Sequence, residues 1–319
     1  MSNNYTVCLV DEAVAALHWP KSPNGTAFTD PRILSAMSGS VEWWLASKGE
    51  EPLCLWPAPL NEHGALFRPP FSYWIGPMWL REDYSAPAHR WLSLSTTVYE
   101  MFISRFLDRY GRVIASLAPG LTDVRVFDWW NYHEAELPRF SIRPRYTARL
   151  DLSKNRDDIH SDFRELRRRE LRKAGNRKDI VLTTDASAVE VKTLYDLTMQ
   201  SQSNVPVKAS LAAIESLHAV ASDGLGFVST VRERSTGQAL CAVLVILGNQ
   251  IANMLVNAVR PEWRNTGVLQ LATHNALQQA TSLDCRAFDF NGANSPRRGD
   301  DKHSYGSHPV LYFDISLAP

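Results

Sequence analysis

Three β-rich runs follow one another almost without pause, GFVSTVRER (226 to 234), ALCAVLVILG (239 to 248) and QIANMLVNAV (250 to 259), and no other stretch narrows the fold as far. The turn-type dipeptides Thr236-Gly237 and Gly248-Asn249 join them. Connections this short return each strand beside its predecessor, so the spacing predicts an antiparallel meander. The loop RPEWRNTG then leads into a helix over 267 to 282, a strand RAFDF at 286 to 290, a linker, and a last strand PVLYFDI at 309 to 315. Upstream, IVLTT from 180 reads as a strand, 187 to 200 as a helix, and 209 to 222 as another with Leu211, Ile214, Leu217, His218 and Ala221 at helical spacing. Residues 158 to 178, DIHSDFRELRRRELRKAGNRK, read as one helix with Ile159, Phe163 and Leu166 on one face and a basic face opposite.

The first half differs in kind. Nine of the ten tryptophans lie before residue 131. Short strands are expected in PLCLWPAPL (52 to 60) and ALFRPPFSYWIGPMWL (65 to 80), a helix over 96 to 116, and paired strands over 122 to 150. With 319 residues, two domains are the natural expectation, 1–150 and 151–319. The class is α/β in the α+β sense, two mixed, mostly antiparallel sheets flanked by helices.

Composition narrows the function. Hydrophobic residues make up 45% and charged residues 21%, no apolar run has membrane-spanning length, and the start carries acids where a signal peptide carries bases, so a cytoplasmic protein with no membrane insertion is expected. Lys+Arg and Asp+Glu are both 34, which disfavours DNA or another polyphosphate as the main source of affinity. Cys8, Cys54, Cys241 and Cys285 form no C-x-x-C pair and the nine histidines no H-E-x-x-H, so neither a disulfide scaffold nor a catalytic metal is expected.

The loop Arg264-Asn265-Thr266-Gly267-Val268 places a glycine where the chain turns into a helix N-terminus. Free N–H groups of a first helical turn and the positive end of its dipole suit a pyrophosphate, with Arg264 adding a charged contact. Together with the meander before it, VNAVRPEWRNTGVLQLATHNALQQATSLDCRAFDFNGAN resembles the N-acetyltransferase (GNAT) core, whose R/Q-x-x-G-x-G/A loop takes the acyl-CoA pyrophosphate; Leu269 stands where that pattern ends in a small residue. FDFNGANSPRRGDDKHSYGSHPVLYFDI is similar to the FemAB-like branch, through Asp289, Gly292, Lys302, Ser304, Tyr305, Gly306 and Tyr312. RRELRKA (168 to 174), TAFTDPRILSAMSG and RPPFSYWIGP resemble other parts of the same branch.

That resemblance implies two GNAT-like halves, the second carrying the donor loop and the first walling the acceptor site. It implies either acyl-CoA or aminoacyl-tRNA as donor; no long helical hairpin insertion is present, and zero net charge favours acyl-CoA, with tRNA the alternative. It also implies direct transfer to a polar small-molecule acceptor, with backbone N–H groups near Asn257 and Val259 on the donor carbonyl. A non-catalytic ligand-binding protein on a degenerate GNAT frame is the reading from another class. Asp289, at a strand end, is a candidate to orient or deprotonate the acceptor, or else a turn cap. His303 is a candidate base or a solvated loop residue, and Lys302 a phosphate or carboxylate ligand or a surface charge. Tyr305 reads as packing. Arg168 and Arg172, in the basic helix, are candidates for a phosphate-bearing substrate, against a plain solvated face. Most of the aromatics read as core, with Tyr73 and Trp74 in PPFSYWIGP as the exception that lines a substrate site.

Overall fold

A computed structural model describes residues 4–81, 87–201 and 209–318. The chain divides into two compact units, Met1–Arg145 with Leu311–Pro319, and Tyr146–Val310. The final strand thus closes the first unit by antiparallel pairing, which a division at residue 150 misses.

In the first unit, β1 (Tyr5–Val10) is followed by α1 (Glu12–His18), α2 (Pro31–Ser38), β2 (Val41–Lys48), β3 (Glu51–Pro59) and β4 (Met78–Trp79). The strands form an antiparallel sheet in that order. Asp30 caps α2 by accepting from Arg32 N at 3.0 Å, with Pro31 at the first helical position, where its missing N–H costs nothing. The long helix α3 (Ala88–Tyr110) buries Val98, Tyr99, Phe102, Ile103 and Phe106, spaced three and four apart, against Trp56 of β3. Truncating a ring in such a cluster to alanine costs about 3–5 kcal/mol.

A helix reaching residue 116 is not what forms. Gly111 turns left-handed (φ 67°) and ends α3, and Val113–Ser116 becomes β5, paired antiparallel with the end of β12 (His308–Leu317). Nor are 122 to 150 paired strands, because α4 (Arg125–Trp129) precedes the long β6 (Ser141–Asp151). Of 65 to 80, only Met78–Trp79 is a strand.

The second unit holds α5 (Arg156–Ser161), α6 (Glu165–Gly175), β7 (Ile180–Thr183), α7 (Ala188–Gln200), α8 (Leu211–Val220), β8 (Gly226–Glu233), β9 (Ala239–Gly248), β10 (Ile251–Val259), α9 (Val268–Ser282), β11 (Ala287–Asp289) and α10 (Pro296–His303). Its strands run β6-β11-β10-β9-β8-β7. All pairings are antiparallel except β10 with β11. The expected meander is β8-β9-β10, its second turn made by Asn249 and Gln250 with φ of 50° and 60°. β9 is buried along both faces, Cys241, Val243 and Val245 in the cluster with α9, and Ala242, Leu244 and Ile246 on the other side, where α7 and α8 pack; this explains its unbroken apolar run. Burial pushes the Cys241 thiol up to about 12, so it behaves as a small hydrophobe.

The basic segment is two helices, not one. Asp162–Arg164 separate α5 from α6, Ile159 and Phe163 are buried, and Leu166 points out. The presumed linker before the last strand contains α10.

At its start α7 is held by a reciprocal cap between Ser187 and Glu190, and Arg232 of β8 grips Glu190 at 2.6 and 3.1 Å. Hydrogen bonding to Arg232 lowers the Glu190 carboxyl from 4.5 to about 2. A depressed carboxyl contributes stability that is complete above its unfolded pKa and disappears as pH falls through the folded one. Wild-type stability should therefore drop between pH 4.5 and 2 more steeply than that of Glu190→Gln, as read by urea unfolding at several pH values.

Candidate active site

β10 and β11 run parallel only from Ile251–Asn253 against Ala287–Asp289. Beyond that point β11 turns away through Asn291 and Gly292, with φ of 52° and 45°. β10 continues to Val259 beside β9 alone, with a bulge between Met254 and Val256. Asn291 Nδ2 donates to Met254 O at 3.1 Å across the point of parting. The far edge of β10 is thus left without a strand partner among the described residues.

The direction of Val259 reveals which groups use that edge. Val259 N donates to Thr198 Oγ1 of α7 at 2.9 Å, and the same hydroxyl donates back to Val259 O at 3.0 Å, whereas Arg260 N turns to Leu240 O of β9. Because strand residues alternate, Asn257 presents its N–H and C=O on the same side as Val259. Asn257 therefore offers its amide to the open edge, but Val259 does not: its N–H is already taken.

After β10, Pro261–Trp263 form one short helical turn, Asn265 is left-handed at φ 61°, and Gly267 at φ 90° precedes α9. Thr266 Oγ1 donates to Trp263 O at 2.6 Å, fixing the loop. No side chain caps α9, so the N–H groups of Val268, Leu269 and Gln270 keep their capacity for an anion. The Val268 side chain is fully buried. Arg264 is not extended toward solvent; its guanidinium meets Thr198 O at 3.3 Å and Ser201 Oγ, holding the loop to the C-terminal end of α7, where a cation suits the dipole. A Cβ on Gly267 would lie 2.5 Å from Glu170 O and 3.0 Å from Ala174 Cβ. A glycine is thus required here by α6 packing on α9. Leu269 packs against the apolar core.

Asp289 is fully buried at the end of β11. It accepts from Thr147 Oγ1, from Arg149 Nε at 3.1 Å and from Asn291 N at 2.8 Å. Burial raises its pKa although Arg149 opposes this. With both oxygens occupied and no route to an acceptor, it is the turn cap, and a proton-transfer role is set aside. Lys302 Nζ donates to Asn291 O, and to Gly292 O at 3.1 Å, so it pins the same turn and is not a surface charge. His303 Nδ1 lies 3.0 Å from Ser307 O; facing a carbonyl it carries the proton, which leaves Nε2 as the acceptor in the neutral ring.

The remaining motif residues clamp α10 to α6. Arg164 pairs with Asp300 at 2.7 Å, while Arg167 pairs with Asp301, donates to Ser304 Oγ at 2.6 Å and lies 5.4 Å over the Tyr305 ring. Tyr305 stacks on Phe290 and meets Phe163 edge-on, the packing role expected. A Cβ on Gly306 (φ 77°) would strike Asp162 Cβ at 2.7 Å.

Residues 161–302 match the family model described as an acetyltransferase (GNAT) domain. No curated protein sequence matches the chain. Among solved structures, FemX superposes with a TM-score of 0.62 at 10% identity, over 97% of this chain and 96% of FemX. The tandem GNAT protein from the clavulanic acid biosynthesis pathway gives 0.57 at 12% identity, over 98% of each chain. The C-terminal domain of a putative lysylphosphatidylglycerol synthetase from Agrobacterium fabrum gives 0.57 at 11%, over 97% of this chain and 92% of that one. The chain carries a GNAT domain within a FemX-like, tandem GNAT fold.

Against this GNAT frame, the basic face of α6 divides in two. Arg164 and Arg167 are spent on α10, whereas Arg172 is exposed and Arg168 reaches only Ser161 O at 3.4 Å. In the first GNAT-like unit Trp74 is buried, edge-on to Phe28 and Tyr312, so it is core rather than a substrate wall; Tyr73 is half-buried beside it. A cleft of about 570 Å³, lined by Ser187, His218, Ser222 and Gln279 among others, lies by the last turns of α9, at the other end of that helix from the Arg264–Gly267 loop. Two residues that sequence reasoning passed over are central: Thr198, one polar residue in an ordinary helix end, and Asn291, which bridges the parting strands. Among the described residues no His, Cys, Asp and Glu cluster is arranged for a metal, and no helix is long and apolar enough to cross a membrane.

Gly267→Ala should lower unfolding free energy by about 1–3 kcal/mol, since it combines a left-handed backbone with a clash on α6. Urea denaturation reads this directly, and an unchanged midpoint would contradict the packing role.

Proposed function

We propose that the protein is an acyltransferase that moves an acyl group from acyl-CoA to an amine or hydroxyl of a polar small molecule, such as an amino sugar, a nucleotide sugar or an amino acid derivative. The observation that carries this is the free edge of β10 at Asn257, directly upstream of an uncapped helix N-terminus. A donor phosphate meets the first turn of α9, and the acyl carbonyl accepts from Asn257 N–H.

The acceptor's lone pair attacks the carbonyl carbon, the oxyanion forms against Asn257 N–H, the carbon–sulfur bond breaks, and the acceptor proton leaves through His303 Nε2. No enzyme-bound acyl group is needed. Lys302 and Asp289 act behind this, by holding the Asn291–Gly292 turn that bounds the edge.

A second reading, transfer from aminoacyl-tRNA, is supported by the four cations that α6 keeps free of α10, Arg168, Arg169, Arg172 and Lys173. If it holds, tRNA binding weakens steeply with salt, and charge reversal at Arg172 and Lys173 flattens that dependence.

Asn257→Pro tests the first reading, because proline removes the N–H on a side of β10 where no ladder bond is lost. With acetyl-CoA and a panel of amine acceptors, kcat should fall about 10²–10³-fold with little change in KM for the donor. Full activity in this variant would exclude the Asn257 amide from the reaction.

A further inference from the structure

The open edge of β10 has two outward-facing backbone positions, Asn257 and Val259, two residues and so roughly 6.8 Å apart. Each offers an N–H and a C=O, the pair that an extended amide chain would engage as though it were another strand. The pantetheine arm of CoA is such a chain, with two amides in series. Only one of the two positions is available to it.

The other is closed by Thr198. A hydroxyl has one proton and two lone pairs, enough to satisfy both groups of a single strand residue, and Thr198 Oγ1 does so at 2.9 and 3.0 Å. Its side chain is buried, at 8% residual exposure, so water does not compete freely for these bonds. The contact is buttressed from behind: Ser201 Oγ donates to Thr198 O at 2.7 Å, and Arg264 of the donor loop reaches both Thr198 O and Ser201 Oγ. At the other end of α7 the Ser187–Glu190 cap and Arg232 stop the helix from sliding along the sheet.

We infer that Thr198 is a donor-selectivity residue: by occupying the backbone of Val259 it penalises donors with a two-amide arm relative to donors held only by their phosphate and their reacting carbonyl. This rests on the reading that the donor lies along β10. A pantetheine donor must displace the hydroxyl and exchange two buried hydrogen bonds, whereas a ligand without the arm does not meet it.

Calorimetry on wild type, Thr198→Ala and Thr198→Ser, with CoA and with adenosine 3′,5′-bisphosphate as the armless probe, tests this. Thr198→Ala should bind CoA about tenfold more tightly than wild type and the bisphosphate equally well, the gain being that expected from two modest hydrogen bonds. Thr198→Ser, which keeps the hydroxyl, should stay near wild type. Equal CoA affinity in all three proteins, or a gain shared by the bisphosphate, overturns the selectivity role. Adding Asn257→Pro to Thr198→Ala separates the two layers: a fall in acetyl-CoA turnover as large as that of Asn257→Pro alone keeps the donor's carbonyl on β10, and unchanged turnover removes the donor from that edge altogether. If Thr198→Ala does not fold, amide exchange on the free wild-type protein decides, with Val259 expected to be slow and Asn257 fast. Equal rates would mean that Thr198 does not close the edge.

Discussion

Everything proposed for this protein depends on β10 and β11 parting after three paired residues. Two parallel strands in mid-sheet would ordinarily stay together, since an unpaired backbone edge leaves donors and acceptors without partners. Here the parting is built in. Asp289 ends β11 by drawing the Asn291 N–H onto its own carboxylate, Thr147 and Arg149 saturate the rest of that carboxylate, and Lys302 collects the carbonyls of the left-handed turn that follows. Asn291 then spans back to Met254 O, so the gap begins at a defined residue.

The charges of the second unit are used largely to hold this geometry. Arg164 and Arg167 neutralise Asp300 and Asp301, which fixes α10 and, through Lys302, the turn beside the edge. A half-buried Arg167 with two carboxylates, a hydroxyl and an aromatic face around it is well satisfied, and removing it would leave Asp301 and Glu170 partly buried and unmatched. The K-x-S-aromatic-G element is thus explained residue by residue as a clamp. The proposed chemistry is then left to backbone amides, a helix N-terminus and His303.

Much of the second unit was legible in the sequence because its signals are local. β-rich runs and turn dipeptides marked β8, β9 and β10, Gly267 marked the start of α9, and RNTG and FDFNGAN pointed to the same family. What was not legible depended on distant partners. Gly267 looked like room for a phosphate, yet its neighbour is α6, almost a hundred residues earlier in the chain. Asp289 was a candidate for proton transfer and Lys302 for binding a phosphate or carboxylate, but Asp289 is taken up by Thr147, Arg149 and the Asn291 N–H, and Lys302 by two backbone carbonyls, partners that no spacing reveals. Trp74 looked like a presented aromatic until Phe28 and Tyr312 enclosed it. Val259 was a candidate to meet the donor carbonyl, and only the tertiary position of Thr198 shows that its amide is taken. In the first unit β1 and β2 went unread, and the proline-rich run at 65 to 80 looked like strands although only Met78–Trp79 is one.

The central claim is that the donor's reacting end lies against the free backbone of β10. It is tested most directly by following the backbone amides of the labelled protein by NMR while acetyl-CoA is added. The account predicts that the largest shifts fall on Asn257 and on Val268 to Gln270 at the start of α9, with β7 and β8 silent. Saturable binding that shifts the Ser187, His218 and Gln279 cleft and leaves Asn257 unmoved would contradict it.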